Sequence, residues 1–339
     1  MGGDRYLYSR KALDIQISMV SAPLDAELAW EIEPFLLKVF EYFDYSLRSA
    51  MTGEYSRTLN CTLFVARYRD RIAGVAVVLC SKRNPAISIL GPVGVALEHR
   101  GNGIGKELVT AAVKHLSQAG CKVIYLGIAH SNPAVKFYEK LLFDRYQGIV
   151  MRRILNSNED FEQSDDNQSS EVAIRQVEWG DLPAVGALYA AQCSMYTIDF
   201  RRSIFSSKYV RPTRFLSLFP EMMKEIDKYQ GVANVLISGR SGNIVGIANL
   251  NRLAGNAQKH MAVLDFYVHD NFLEHAESLV STTLKKRAKL CIDIVNLYCL
   301  ACDHLKQDIV ERLQANRVAA LPANVCIDQK LEDVLVYQL

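Results

Sequence analysis

The chain has 339 residues, half of them hydrophobic and 22% charged, with a formal net charge of +2. That length suits two domains, each with a core of its own. So small an excess of charge leaves no global field to favour nucleic acid or a membrane surface. No apolar run approaches the ~18 residues of a membrane-crossing helix. The opening MGGDRYLYSRKALDI has no apolar signal core, so no signal peptide is expected.

In chain order, IQISMVS (15–21) reads as a strand and 26–43 as a helix. CTLFVARYRD (61–70) and RIAGVAVVLC (71–80) read as a β-hairpin. AISILGPVGVAL (86–97) is a third strand, interrupted by Gly91 and Pro92. A glycine-rich turn follows, then a helix with Ile104, Leu108, Ala112 and Leu116 on one face and Gly120 at its end. CKVIYLGIA (121–129) is a buried strand, PAVKFYEKLLF (133–143) a short helix and YQGIVMRRIL (146–155) a last strand.

Residues 156–170, NSNEDFEQSDDNQSS, hold five acids, no Lys or Arg and one apolar side chain, Phe161. Such a stretch builds no core and is expected to be a linker. The chain is therefore divided into a first domain at 1–155, the linker at 156–170 and a second domain at 171–339. The second half repeats the order of the first. A strand at 172–177, a helix at 179–193 and a loop-and-helix stretch lead to strands at 231–238, 244–253 and 261–269. A helix at 274–290, a strand at 294–301, a helix at 305–316 and a closing strand at 334–339 follow. Of the eight cysteines, most lie in apolar, strand-like runs, which suits reduced core thiols in a cytoplasmic protein. Cys299 and Cys302 form a lone CxxC without a second pair, read as two core thiols, and no metal is expected.

The segment EHRGNGIGKEL (98–108) carries the chemistry. A strand running through a glycine turn into a helix leaves first-turn N–H groups without acceptors at the positive end of the helix dipole. Glycines let a phosphate approach them. Gly105-Lys106 is followed by Glu107, so a Walker A hydroxyl is missing. The spacing GxGxG, with no carboxylate on 121–129, does not fit a dinucleotide-binding turn. Arg100, Gly103 and Gly105 fit a third pattern, RxxGxG.

With that pattern and the later block PAVKFYEKLLF, residues 14–155 resemble the GNAT superfamily of acyl-CoA-dependent N-acyltransferases. The resemblance implies an α/β fold of mixed sheets, as two tandem GNAT-like domains, and acetyl-CoA as cosubstrate. It implies that the N–H groups from Arg100 through Gly101, Asn102, Gly103, Ile104 and Gly105 to Lys106 hold the pyrophosphate. The backbone of Val93 to Val95 would pair with the pantetheine arm, and the Val95 N–H would bind the oxyanion. Tyr138 would protonate the leaving thiolate as an amine attacks the acyl carbonyl.

The sequence departs from the family in three places. Ser131 stands where Asn is common, Leu142 replaces the Gly of LGF, and no carboxylate base lies on 84–97, where Ile87 or Ser88 sits near its position. The base is unassigned; a water chain or His130 could serve. Glu31, Glu33, Glu41 and Asp44 lie among Trp30, Phe40, Tyr42, Phe43 and Tyr45, where an acidic, aromatic lining would suit a cationic acceptor. The second half has no glycine after Gly255, and VHDNFLEHAESLV (268–280) places Asp270, Glu274 and Glu277 where a cradle belongs. The second domain is read as a degenerate copy without a CoA site. The expected function is transfer of an acetyl group to a primary amine of a small molecule or peptide, with no nucleic acid or membrane partner; a homodimer stays open. A non-enzymatic acyl-CoA sensor or partner-binding protein and a longer acyl donor are the alternatives.

Overall fold

The computed structural model describes the chain except residues 1–4, 11–14, 42–44, 129–130, 148–149, 156–170, 192, 198–211, 229, 240, 254 and 328. The expected linker, His130 and Asp44 therefore lie outside the described residues. The chain divides into two compact units: Met1–Asp160 with Trp179–Pro183, and Phe161–Glu178 with Ala184–Leu339.

The first unit contains β1 (Arg5–Arg10), β2 (Ile15–Ser21), α1 (Ala26–Phe40), α2 (Tyr45–Met51), β3 (Leu59–Tyr68), β4 (Arg71–Ser81) and β5 (Ile87–Val95). It continues with α3 (Ile104–Gln118), β6 (Val123–Gly127), α4 (Val135–Glu139), β7 (Asp144–Gln147) and β8 (Val150–Ile154). The second contains β9 (Val172–Gln176), α5 (Leu182–Ala190), α6 (Pro212–Asp227), β10 (Gly231–Ser238), β11 (Ile244–Arg252) and β12 (Met261–Val268). After these come α7 (Ala276–Leu284), β13 (Ile294–Leu300), α8 (His304–Arg312), β14 (Asn316–Ile327) and β15 (Lys330–Gln338).

Each unit is one mixed sheet. The orders are β1-β2-β3-β4-β5-β6-β8-β7 and, read from β9, β9-β10-β11-β12-β13-β15-β14. From β2 and from β9 onward the two orders are the same. Each sheet has one parallel pair, β5 with β6 and β12 with β13, joined by a helical crossover through α3 or α7.

The agreement extends to register. Gly74 on β4 faces Val95, and Gly246 on β11 faces Val268. One residue later, Ala96 N–H donates to the Ala73 carbonyl at 2.9 Å, and His269 N–H to that of Val245 at 2.8 Å. Each glycine lets its crossover helix approach the sheet. A Cβ at Gly74 would lie 2.9 Å from Leu108 Cδ1, and one at Gly246 3.3 Å from Leu279 Cδ2. The predicted face of α3 is the buried one: Ile104, Leu108, Ala112 and Leu116 pack into the first core. Burial of a Leu or Ile is worth about 1.5–3 kcal/mol, which locks the helix over β4.

Besides the extra strand β1, the units differ at β5. The β4–β5 register slips between Ala76 and Val78, at Gly91 and Pro92, where Gly91 has φ +144°. The β11–β12 ladder shows no slip. The break that divides the apolar run 86–97 is therefore a β-bulge, which turns the strand that follows.

Several elements lie beyond the sequence reading. β1 pairs with β2 although its segment looks like a polar start. A second helix, α2, stands between the first helix and β3. The last strand of the first unit is a hairpin, β7–β8, and the second unit ends in a long β14–β15 hairpin. The helix expected at 274–290 is α-helical only over α7, between 3-10 turns at Asp270–His275 and Arg287–Leu290. Cys299 is buried but Cys302 is exposed, so the reading of CxxC as two core thiols is corrected.

Leu142 has φ +62° and is exposed, in the turn after α4. A left-handed Leu is strained by its Cβ, which explains why glycine suits this turn. Leu142→Gly should stabilise the chain by about 0.5–1 kcal/mol, after the glycine's extra unfolded-state entropy is subtracted. A urea midpoint that falls in this variant would contradict that assignment.

Candidate active site

The site begins where β5 and β6 part. Among the described residues the two pair only at Ile87, Ser88 and Ile89, with Val123, Ile124 and Tyr125. Beyond Ile89, β5 keeps β4 on one side. Because the Ala96 N–H points at β4, strand alternation turns the N–H groups of Val95 and Val93 the other way, into the splay. The Val95 carbonyl accepts the Arg100 Nε at 3.2 Å.

The glycine turn stands at the mouth of that splay. Gly101 and Gly103 have φ +80° and +79°, in the left-handed region that favours glycine. Gly103 is the N-cap of α3 and offers no side-chain cap. The first helical bond runs from Glu107 N–H to the Gly103 carbonyl at 3.1 Å, so the N–H groups of Ile104, Gly105 and Lys106 have no acceptor within the helix.

One expectation for this turn needs correction. The Arg100 N–H is taken by the Leu97 carbonyl at 3.2 Å, so Arg100 acts here through its side chain, tying the turn to Val95. The Ile104 side chain is buried in the core, which leaves its expected contribution, the backbone N–H, unchanged. Asn102 is exposed and its Nδ2 donates to the His99 carbonyl at 3.3 Å; Lys106 is exposed as well.

Gly105 joins the parts. A Cβ there would lie 3.6 Å from Val95 Cγ2 and 3.5 Å from Phe137 Cζ. The helix start, the open strand and α4 thus meet at one residue. Tyr138 follows Phe137 in α4 and is buried, its ring edge-on to Phe137 at 5.0 Å and to Phe143 at 5.7 Å. Burial pushes its hydroxyl up to about 12. It therefore stays protonated through the neutral range, as a proton donor must.

The remaining candidates do not gather here. Ile87 and Ser88 are both buried, so neither offers a base at the surface of the strand. The acids of α1 are largely committed. Glu31 takes both amino groups of Arg67, at 2.8 and 2.5 Å, and Glu33 accepts Arg48 Nε at 2.9 Å and is bridged by its second nitrogen. Of the expected acidic lining, Glu31 and Glu33 are thus taken up by arginines, while Glu41 is exposed at the end of α1. Phe40, which the reading grouped only with that lining, packs on the site instead: a Cβ at Gly94 would lie 3.0 Å from its Cε2. Among the described residues no group of three His, Cys, Asp or Glu gathers as a metal site.

The matching place in the second unit is built differently. β12 and β13 pair at Met261–Leu264 and then part. Asp265, the next residue, forms a short ion pair with Lys306 of α8, whose side chain is fully buried. Lys306 Nζ also donates to the Tyr196 carbonyl at 3.1 Å and lies 5.0 Å from the Phe266 ring centroid. Burial works to lower the Lys306 pKa, but the Asp265 and Asp303 carboxylates beside it carry it above the ordinary value. Asp303 caps α8 and accepts the Tyr196 N–H at 2.8 Å. Asp270 accepts Ser194 through its N–H at 2.9 Å and its hydroxyl at 2.7 Å. Carboxylates and one buried ammonium thus clamp the segment Ser194–Tyr196 in this unit.

With this geometry in view, comparison with known proteins points one way. Residues 26–143 match the model of the acetyltransferase (GNAT) family, a segment from α1 to the turn after α4 that contains the whole candidate site. A mycothiol acetyltransferase from Kocuria rhizophila is 38% identical over 71 residues, 21% of this chain and 23% of that protein. Its counterpart from Paenarthrobacter aurescens is 40% identical over 76 residues, 22% and 24% of the two. The chain spans about a quarter of the length of the curated relatives it matches. A solved ribosomal-protein-alanine N-acetyltransferase from Brucella melitensis aligns with 49% of this chain and 98% of its own, at 15% identity and a TM-score of 0.40.

Lys306→Met or Asp265→Leu alone should destabilise the chain by about 3–5 kcal/mol, because each leaves a buried charge unpaired, and the double variant should recover most of the loss. Urea unfolding of all three variants checks this; a double variant as unstable as either single one would contradict it.

Proposed function

We propose that the chain is an N-acetyltransferase that moves an acetyl group from acetyl-CoA to a primary amine of a small molecule or peptide, with its first unit as the working one. The observation that carries this reading is the meeting of α3, β5 and α4 at Gly105, between Val95 and Phe137. A thioester laid along the free edge of β5 would have its pyrophosphate at the N–H groups of Gly105 and Lys106 and its carbonyl at the Val95 N–H. Left-handed Gly101 and Gly103 leave backbone rather than side chains facing that phosphate.

In this reading each residue has a separate task. The Val95 N–H supports the oxygen that gains charge as the amine adds, and is already oriented because β4 holds the strand behind it. Arg100 keeps the turn and the strand in register through the Val95 carbonyl. Tyr138 supplies a proton to the departing thiolate. A donor raised to about 12 gives up part of the driving force for transfer but is never in the wrong ionisation state near neutral pH. The amine arrives neutral or loses its proton to water, since the strand offers no carboxylate.

The second unit is proposed as a degenerate copy of the same architecture, in which the clamped Ser194–Tyr196 segment and Asp265–Lys306 stand in place of a nucleotide. A reducing, cytoplasmic setting is proposed from the apolar, strand-like runs that hold most of the eight cysteines. The lack of a carboxylate on 84–97 favours one rival, a non-enzymatic acyl-CoA sensor. Release of free thiol from acetyl-CoA on addition of an amine distinguishes the two.

Calorimetry should find one acetyl-CoA site per chain, lost in the Gly103→Asp, Gly105→Asp variant. Two sites would mean that the second unit also binds. Tyr138→Phe should lower kcat by roughly 10²–10³. In the unaltered chain, kcat should show no downward limb below about pH 11, because the proton on Tyr138 is lost only as pH rises through its raised pKa of about 12. A fall at lower pH that Tyr138→Phe abolishes would contradict the assignment.

A further inference from the structure

The two faces of the first sheet approach the site differently. Successive residues of β5 point to opposite faces. Val95 turns its side chain toward Gly105 of α3, while the missing Cβ of Gly94 would point at Val39 and Phe40 of α1. If the nucleotide lies at the start of α3, that face is taken. An amine then reaches the carbonyl carbon past α1, and the exposed surface of α1 selects it.

Beside exposed Glu27 and Lys38, that surface carries an apolar stripe. Trp30 is 75% exposed, Leu37 50% and Phe40 42%, all within one side of the helix. Leu97, two residues beyond Val95, is 74% exposed. Of the described acids near that stripe, Glu31 pairs with Arg67, Glu33 with Arg48 and Glu98 with Lys38 at 3.9 Å, while Glu27 stands one turn away in the first turn of α1. Glu41, the C-cap of α1 beside Phe40, is exposed and could meet a single ammonium group. Resting on the acetyltransferase reading above, we infer that the acceptor is a primary monoamine on an apolar body of aromatic size, bound against Phe40 and Leu37, rather than a polyamine or an amino sugar.

The test uses the full chain and measures thiol release from acetyl-CoA with 2-phenylethylamine, tryptamine, spermidine and glucosamine. The two aromatic monoamines should exceed the others in kcat/KM by roughly tenfold or more. Phe40→Ser should raise KM for the aromatic amines roughly tenfold with little change in kcat, since that contact is made equally before and during reaction. Phe40→Leu should restore most of the loss, and calorimetry should give both variants the acetyl-CoA Kd of the unaltered chain. Preference for spermidine or glucosamine, no turnover with any of the four, or indifference of KM to Phe40→Ser would overturn the acceptor class. Failure of the unaltered chain to bind acetyl-CoA is a different result and would remove the acetyltransferase reading beneath it.

Discussion

Two parallel strands that pair for three residues and then part impose the central constraint on the first unit. A backbone N–H that leaves one partner must find another, in protein, water or ligand. Beyond Ile89 the free side of β5 faces the splay, and its N–H groups are fixed in direction by β4 behind them. The bulge at Gly91 and Pro92 turns the strand there. The left-handed glycines bring α3 down beside its end, and Gly74 allows the close approach that holds α3 in place. Each feature is an ordinary answer to packing or hydrogen bonding. Together they leave a row of donors with one open side and a helix start at its end.

The second unit meets the same constraint and answers it with its own chain. Its strands follow the same order, Gly246 and Val268 stand in the same register, and β12 and β13 part as well. There the ladder has no bulge, and Asp265 and Lys306 place a charge pair at the point of divergence. Such a pair costs desolvation and is held by Tyr196 and the Asp303 cap around it. One architecture is thus carried twice, with donors facing outward in one copy and polar groups turned on each other in the other.

The parts legible in the sequence are those set by local chemistry. Gly101 and Gly103 announce a turn because few other residues take φ near +80°. The i, i+4 spacing of Ile104, Leu108, Ala112 and Leu116 announces the buried face of α3. What depends on pairing across the chain is not written locally. Glu31 and Glu33 look like free acids until Arg67 and Arg48, distant in sequence, fold beside them. The equivalence of Gly74 and Gly246 appears only once Val95 and Val268 are seen opposite them. β1 and β14 are hidden because their sequences, RYLYSR and NRVAALPANVCI, lack the alternation of a half-buried strand. Asp265 has no visible role until α8 carries Lys306 to it.

The most direct measurement of the central claim is amide hydrogen exchange on the full chain with and without acetyl-CoA, read at 91–106 and at 263–276. The account predicts added protection at Val93, Val95, Gly105 and Lys106, and none across Val268 to Ala276. Protection in the second segment, or no change at Val95 under conditions where acetyl-CoA is bound, would contradict it.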